Sequence, residues 1–151
     1  MWPDPRVVDL VDESFIPARV HAREQPEDFQ RLGERFGVQW TPTTVVIDTG
    51  GIERHRIEGF LPPEDFLAQL TLGLGRIAFH AKRFEEAERR FGSVLERFPK
   101  AEGAPEAQYW AGVSRYKASG DAKELAATAA AFERRYADTV WAKKASVWSR
   151  G

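Results

Sequence analysis

The chain has no cysteine in its 151 residues. Disulfides, thiolate metal sites and thiol catalysis by this chain are therefore excluded, since each needs a sulfur ligand or nucleophile. No apolar run approaches the ~20 residues that a bilayer-spanning helix requires. The opening "MWPDPRVVDLVDE" has neither the basic start nor the apolar middle of a signal peptide, so a cytoplasmic location without membrane contact is expected. Lys and Arg alternate with Glu instead of clustering, which is not the footprint of a nucleic-acid binder. His21, His55 and His80 fall in separate elements without metal-ligand spacing, and no metal or other cofactor is expected.

What is present describes a folded protein. The 42% hydrophobic content and the even spread of Phe and Trp suit one domain or two small ones with a real core. Charge is uneven along the chain. Residues 1–70 carry 7 Lys/Arg against 13 Asp/Glu, a balance of −6, and residues 71–151 carry 15 against 10, a balance of +5. Two readings stand side by side: an acidic half that meets a basic half, or ordinary solvated helix faces.

The N-terminal part alternates helix and strand. Asp4 can cap a helix with Pro5 at its first position, and Val7, Val8, Leu10 and Val11 follow as an apolar stripe. Phe15 to His21 is rich in strand formers, with Pro17 favouring an edge. Pro26 with two acids opens a second helix, whose Phe29, Leu32 and Phe36 share a face and which Gly37 can end. "TTVVID", a turn at Thr49-Gly50-Gly51 and "IERHRIEG" then predict a β-hairpin, the glycines serving the turn and not a phosphate loop. From Pro62 onward only helices are expected, so the fold class is α/β followed by all-α, divided near residues 1–72 and 73–151.

The helical half echoes itself. Gly75 aligns with Gly112, Phe79 with Tyr116 and Phe98 with Tyr136, at an offset of 37 residues rising to 38. That is near the ~34 of a tetratricopeptide repeat. The first copy resembles that family at Leu74-Gly75, Ala87-x3-Phe91 and Pro99. It departs at Thr71 and Ala78, where an aromatic belongs, and the second copy has Ala137 in place of the proline. Trp110, Tyr116, Trp141 and Trp148 recur at helical positions. They read either as core or, for Trp110 and Tyr116, as the wall of a binding groove.

"FGVQWTPTTVVIDTGG…HRIEGFLPPEDFLAQL" is similar to the C-terminal part of the thioredoxin-like fold. The matching places are Phe36-Gly37-Val38, Thr41-Pro42, Val45 to Ile47, Gly50-Gly51, Arg56 to Gly59 and Pro63 to Leu70. "DPRVVDLVDESFIPARVHA" resembles the end of the active-site helix and the strand after it. The family's first strand and Cys-x-x-Cys would precede Asp4. The resemblance implies a cis Thr41–Pro42 bond, with the Thr41 backbone before Pro42 meeting an extended peptide and Trp40 beside it as an exposed aromatic anchor. The other reading is that Pro42 merely starts a strand and Trp40 covers the hydrophobic end of the sheet. The resemblance also implies a gap in the sheet, closed either by direct parallel pairing of 15–21 with 43–48 or by a partner chain.

Three functions remain open. The chain is a non-catalytic protein- or peptide-binding module, without catalytic residues of its own. It is a thiol–disulfide oxidoreductase whose first strand and cysteine pair lie upstream. Or it is an assembly element, with a homodimer as the simplest form.

Overall fold

The computed structural model describes residues 4–150. The chain divides into two compact units, Met1–Leu67 and Ala68–Gly151.

In the first unit, helix α1 (Pro5–Ser14) starts where the Asp4 carboxylate accepts from the Arg6 N–H, with Pro5 supplying a helical φ at no hydrogen-bond cost. Val7 and Val11, one turn apart, are buried, while Val8 is 40% exposed. The apolar stripe is thus narrower than the sequence suggests. Helix α2 (Pro26–Phe36) places Glu27 and Asp28 in its first turn, where the helix dipole favours acids. It ends on Gly37 in the left-handed conformation at φ 60°.

Strands β1 (Thr43–Ile47) and β2 (Glu53–Glu58) form the expected antiparallel hairpin. Thr43 lies opposite Glu58 and Val46 opposite His55, with an irregularity between Val46 and Ile47. Val46, His55 and Ile57 are buried on one face. On the other, the Arg56 guanidinium donates to the carbonyls of Phe36 and Gly37, satisfying the end of α2 and fixing that helix to β2.

Asp48 shapes the turn. Its carboxylate accepts from the N–H groups of Gly50 (2.9 Å) and Ile52 (3.0 Å) and from Arg54 Nε (2.8 Å). These donors, the Ile52 N–H foremost, hold its pKa below the ordinary 3.8. A lowered folded pKa contributes stability above the unfolded value and loses it as pH falls through the folded one. Asp48→Ala is therefore expected to lower the Tm at pH 6, with the difference from wild type vanishing well below pH 3.8. A circular-dichroism melt at several pH values checks this.

Residues 15–21 form no strand. Among the described residues the sheet has two strands, and 15–21 does not pair directly with β1. Ile16, fully exposed, has no sheet neighbour to cover it. A strand is stabilised by the ladder beside it, and β-rich composition without an adjacent edge does not make one.

The division between units falls inside helix α3 (Pro63–His80). The second unit continues with α4 (Phe84–Arg97), α5 (Ala104–Ser119), α6 (Lys123–Arg134), α7 (Val140–Ala145) and a terminal 3-10 turn at Ser146–Arg150. Two glycine notches organise it. A Cβ on Gly75 of α3 would lie 2.5 Å from Phe91 Cε1 of α4, and one on Gly112 of α5 would lie 2.7 Å from Thr128 Cβ of α6. From 75 to 91 and from 112 to 128 the interval is 16 residues, and the pairs are 37 residues apart. The Gly75–Gly112 echo in the sequence thus falls where α3 packs on α4 and where α5 packs on α6. Arg115 adds ion pairs to Glu88 (3.7 Å) and Glu124 (3.3 Å), linking α4, α5 and α6.

Candidate functional site

Hydrogen-bonding direction along β1 follows from one bond. The Gly59 N–H donates to the Pro42 carbonyl at 2.7 Å, one residue before the Thr43–Glu58 pair. Bonded and non-bonded pairs alternate along an antiparallel ladder. Thr44 and Val46 therefore bond toward Ile57 and His55, and the N–H and C=O groups of Thr43 and Val45 point away from β2. No strand lies on that side among the described residues.

The two edges of this sheet differ in chemistry. β2 carries Glu53, Arg54, Arg56 and Glu58, whereas β1 is Thr-Thr-Val-Val-Ile. From Val38 to Ile47 no residue is charged, in a chain that is 30% charged. Charges are the ordinary guard of an edge strand, and this edge has none. β-branched residues also favour the extended backbone that a further strand would meet.

Trp40, Thr41 and Pro42 lead into that edge. Thr41–Pro42 is cis, as the resemblance implies. The backbone is held on both sides of it: Thr43 Oγ1 donates to the Trp40 carbonyl at 2.6 Å, and the Pro42 carbonyl holds Gly59. Thr41 and Pro42 are exposed. Trp40 is 68% exposed, and Phe60, which the hairpin register brings to the same open end, is 81% exposed. Ile47 and Ile52 are the exposed apolar residues at the turn end. The segment Val38–Ile47 has no carboxylate, imidazole, amine or thiol, so it offers backbone pairing and apolar cover instead of acid–base chemistry.

In the second unit Trp110 and Tyr116 do not share one face. Six residues apart on α5, they lie about 120° from each other around the helix at ~100° per residue. Trp110 packs edge-on against Phe79 (5.4 Å between centroids) and Tyr109 (5.3 Å), and its Nε1 is buried without an acceptor. Trp141 and Trp148 both meet Tyr109, the latter stacked at 4.9 Å, and Lys144 sits 4.1 Å over Trp141. These rings fasten α7 and the 3-10 turn to α5. Burial pushes the Tyr109 hydroxyl pKa up.

Tyr109 and Arg56 are the structural residues that the sequence reading missed. The partners that give them these roles, Phe36 and Gly37 for Arg56 and Trp141 and Trp148 for Tyr109, lie 19 or more residues away, and no local pattern signals them. His21 caps its own turn by accepting from the Arg23 and Glu24 N–H groups, His55 is buried in β2, and His80 ends α3. No cluster of metal-ligating side chains occurs among the described residues, and no described helix is long and apolar enough to cross a membrane.

Comparison with known proteins bears on the first unit. No curated protein and no solved structure matches the chain. Residues 1–73 match the family model described as a thioredoxin-like domain, which takes in α1, α2, the hairpin and the first half of α3.

Proposed function

We propose that the chain is a non-catalytic protein-interaction module, in which the thioredoxin-like part binds an extended strand along β1 and the helical part is a tetratricopeptide-like pair of hairpins. One observation carries the reading: the uncharged, unpaired β1 edge beside exposed Trp40. Strand addition supplies main-chain hydrogen bonds to Thr43 and Val45, and Trp40 supplies an aromatic anchor. Thiol–disulfide exchange would need an attacking thiolate, and this chain has no cysteine to provide one. The repeat assignment rests on the recurrence of the glycine notch at 37 residues and on Ala87-x3-Phe91 and Pro99.

Two experiments test this. In an insulin-reduction assay with dithiothreitol, the purified chain should match the blank, and turnover above it would contradict the non-redox reading. A displayed library of extended peptides should yield binders that slow amide exchange at Thr43 and Val45. Trp40→Ala should then weaken them about 30-fold, the ~2 kcal/mol of an interface hot spot. Thr41→Ala should leave backbone-mediated binding largely intact. Binders that protect only the helical unit would move the site away from β1.

A further inference from the structure

We infer that a cationic groove beside the turn between α3 and α4 binds an acidic peptide, with Lys82, Arg89 and Lys117 meeting its carboxylates. The groove lies wholly in the second unit and does not depend on β1.

Lys82 supplies the first observation. It stands in the left-handed region at φ 62°, where a side chain is unfavourable. The turn needs that conformation. The Lys82 N–H donates to the Phe79 carbonyl at 3.0 Å and the Arg83 N–H to the Ala78 carbonyl at 2.9 Å, which closes the end of α3. Glycine meets the need at no steric cost, and 38 residues on, at the end of α5, the same conformation falls to Gly120 at φ 71°. Tyr136 is the other non-glycine residue in this region among the described ones, and its hydroxyl donates to the Pro99 carbonyl at 2.6 Å. That side chain has a task inside the fold. The exposed Lys82 ammonium has no hydrogen bond or ion pair among the described residues. Strain kept without an internal contact is the mark of a side chain that works outside the fold.

The second observation is the company Lys82 keeps. It lines a cleft of about 440 Å³ with Arg83, Glu85, Glu86 and Arg89 of the turn and α4, and with Lys117 near the end of α5. Arg83 is paired with Glu86 at 3.3 Å. That leaves Lys82, Arg89 and Lys117, none of them in an ion pair among the described residues, against the single carboxylate of Glu85. Cations gathered from two segments of the chain favour an anion between them. A smaller hollow of about 270 Å³ shares Glu86 and Arg89 and carries the groove on to Arg90, so the site is longer than one anion. Glu85 would also repel a compact dianion such as phosphate. Carboxylates on alternate residues of an extended peptide are about 6.5 Å apart and can meet separate cations. Half-buried Phe84 in the wall of the cleft gives the peptide an apolar surface as well.

A short fluorescein-labelled peptide alternating Glu and Gly, titrated against the full chain, tests this. It should bind at low salt and weaken as salt rises, and its Gln counterpart should not bind. Arg89→Gln and Lys117→Gln should each weaken the Glu peptide about 3-fold, in the range of exposed charge pairs. Lys82→Gly should weaken it similarly while raising the Tm by about 2–4 °C, because the strain leaves with the side chain. Lys143→Gln in α7, outside the groove, should change nothing. A higher Tm for Lys82→Gly with no loss of affinity would overturn the role of Lys82. Equal binding of the Gln peptide, or an equal loss with Lys143→Gln, would overturn the groove. Displacement by inorganic phosphate at the peptide's own concentration would overturn the peptide as occupant.

Discussion

Phe91→Ala is expected to cost about 3–5 kcal/mol of stability, as the loss of a fully buried Phe usually does. The ring is completely buried and lies over Gly75, so close that a Cβ there would be 2.5 Å from it. Removing the ring empties the notch that closes α3 against α4, and the backbone of Gly75 has no side chain with which to refill it. A methyl group at 75 would restore part of the volume. Gly75→Ala should therefore be damaging alone but less damaging when combined with Phe91→Ala, with a favourable coupling of about 0.5–3 kcal/mol. Urea unfolding of the four proteins in the cycle measures it. Additive losses would mean that the two groups do not define one packing site.

Gly112→Ala is the second large effect, and here two forces oppose each other. Alanine gains about 1 kcal/mol over glycine in a helix interior. Its Cβ, however, would be 2.7 Å from Thr128 Cβ and closer still to the Thr128 hydroxyl and methyl. Thr128 cannot turn aside cheaply. It is fully buried and β-branched, and its hydroxyl donates to the Glu124 carbonyl at 2.7 Å. Overpacking of this kind costs about 1–3 kcal/mol after relaxation, so the clash wins. At about 2–4 °C per kcal/mol for a chain of this size, the Tm should fall by several degrees. Gly92→Ala in α4 is the control, because nothing lies within 4 Å of the Cβ it would add. That change should raise stability by roughly 0.5–1 kcal/mol. Opposite signs for one substitution in neighbouring helices would show that the notch, and not helix propensity, governs residue 112.

The glycine side of each notch was legible in the sequence, because Gly75 and Gly112 recur 37 residues apart, whereas the facing residues, Phe91 and Thr128, differ in type and gave no repeated signal. Asp4-Pro5, Pro26 and Gly37 were legible for a simpler reason. Capping and left-handed termination are decided by the residue in place. The hairpin was equally readable from Asp48 to Gly51, though not the role of the Asp48 carboxylate in binding Ile52 and Arg54. Phe15–His21 failed because strand formation depends on an adjacent edge, which composition does not encode. Tyr109, joined to Trp141 and Trp148, was hidden by distance along the chain. At Trp40-Thr41-Pro42 the residues themselves say little. Family resemblance pointed to them, and the register of β1 against β2 supplied the reason that the neighbouring edge can accept a strand.

Amide hydrogen exchange at Thr43 and Val45, followed with and without a bound library peptide, tests most directly whether β1 is an edge that accepts a strand. Fast exchange at both amides is expected in the free chain, slowing together when a bound peptide strand covers them, while Thr44 and Val46 stay protected throughout by β2. Slow exchange at Thr43 and Val45 in the free chain would contradict the account, for it would mean that the edge is already closed within a single chain.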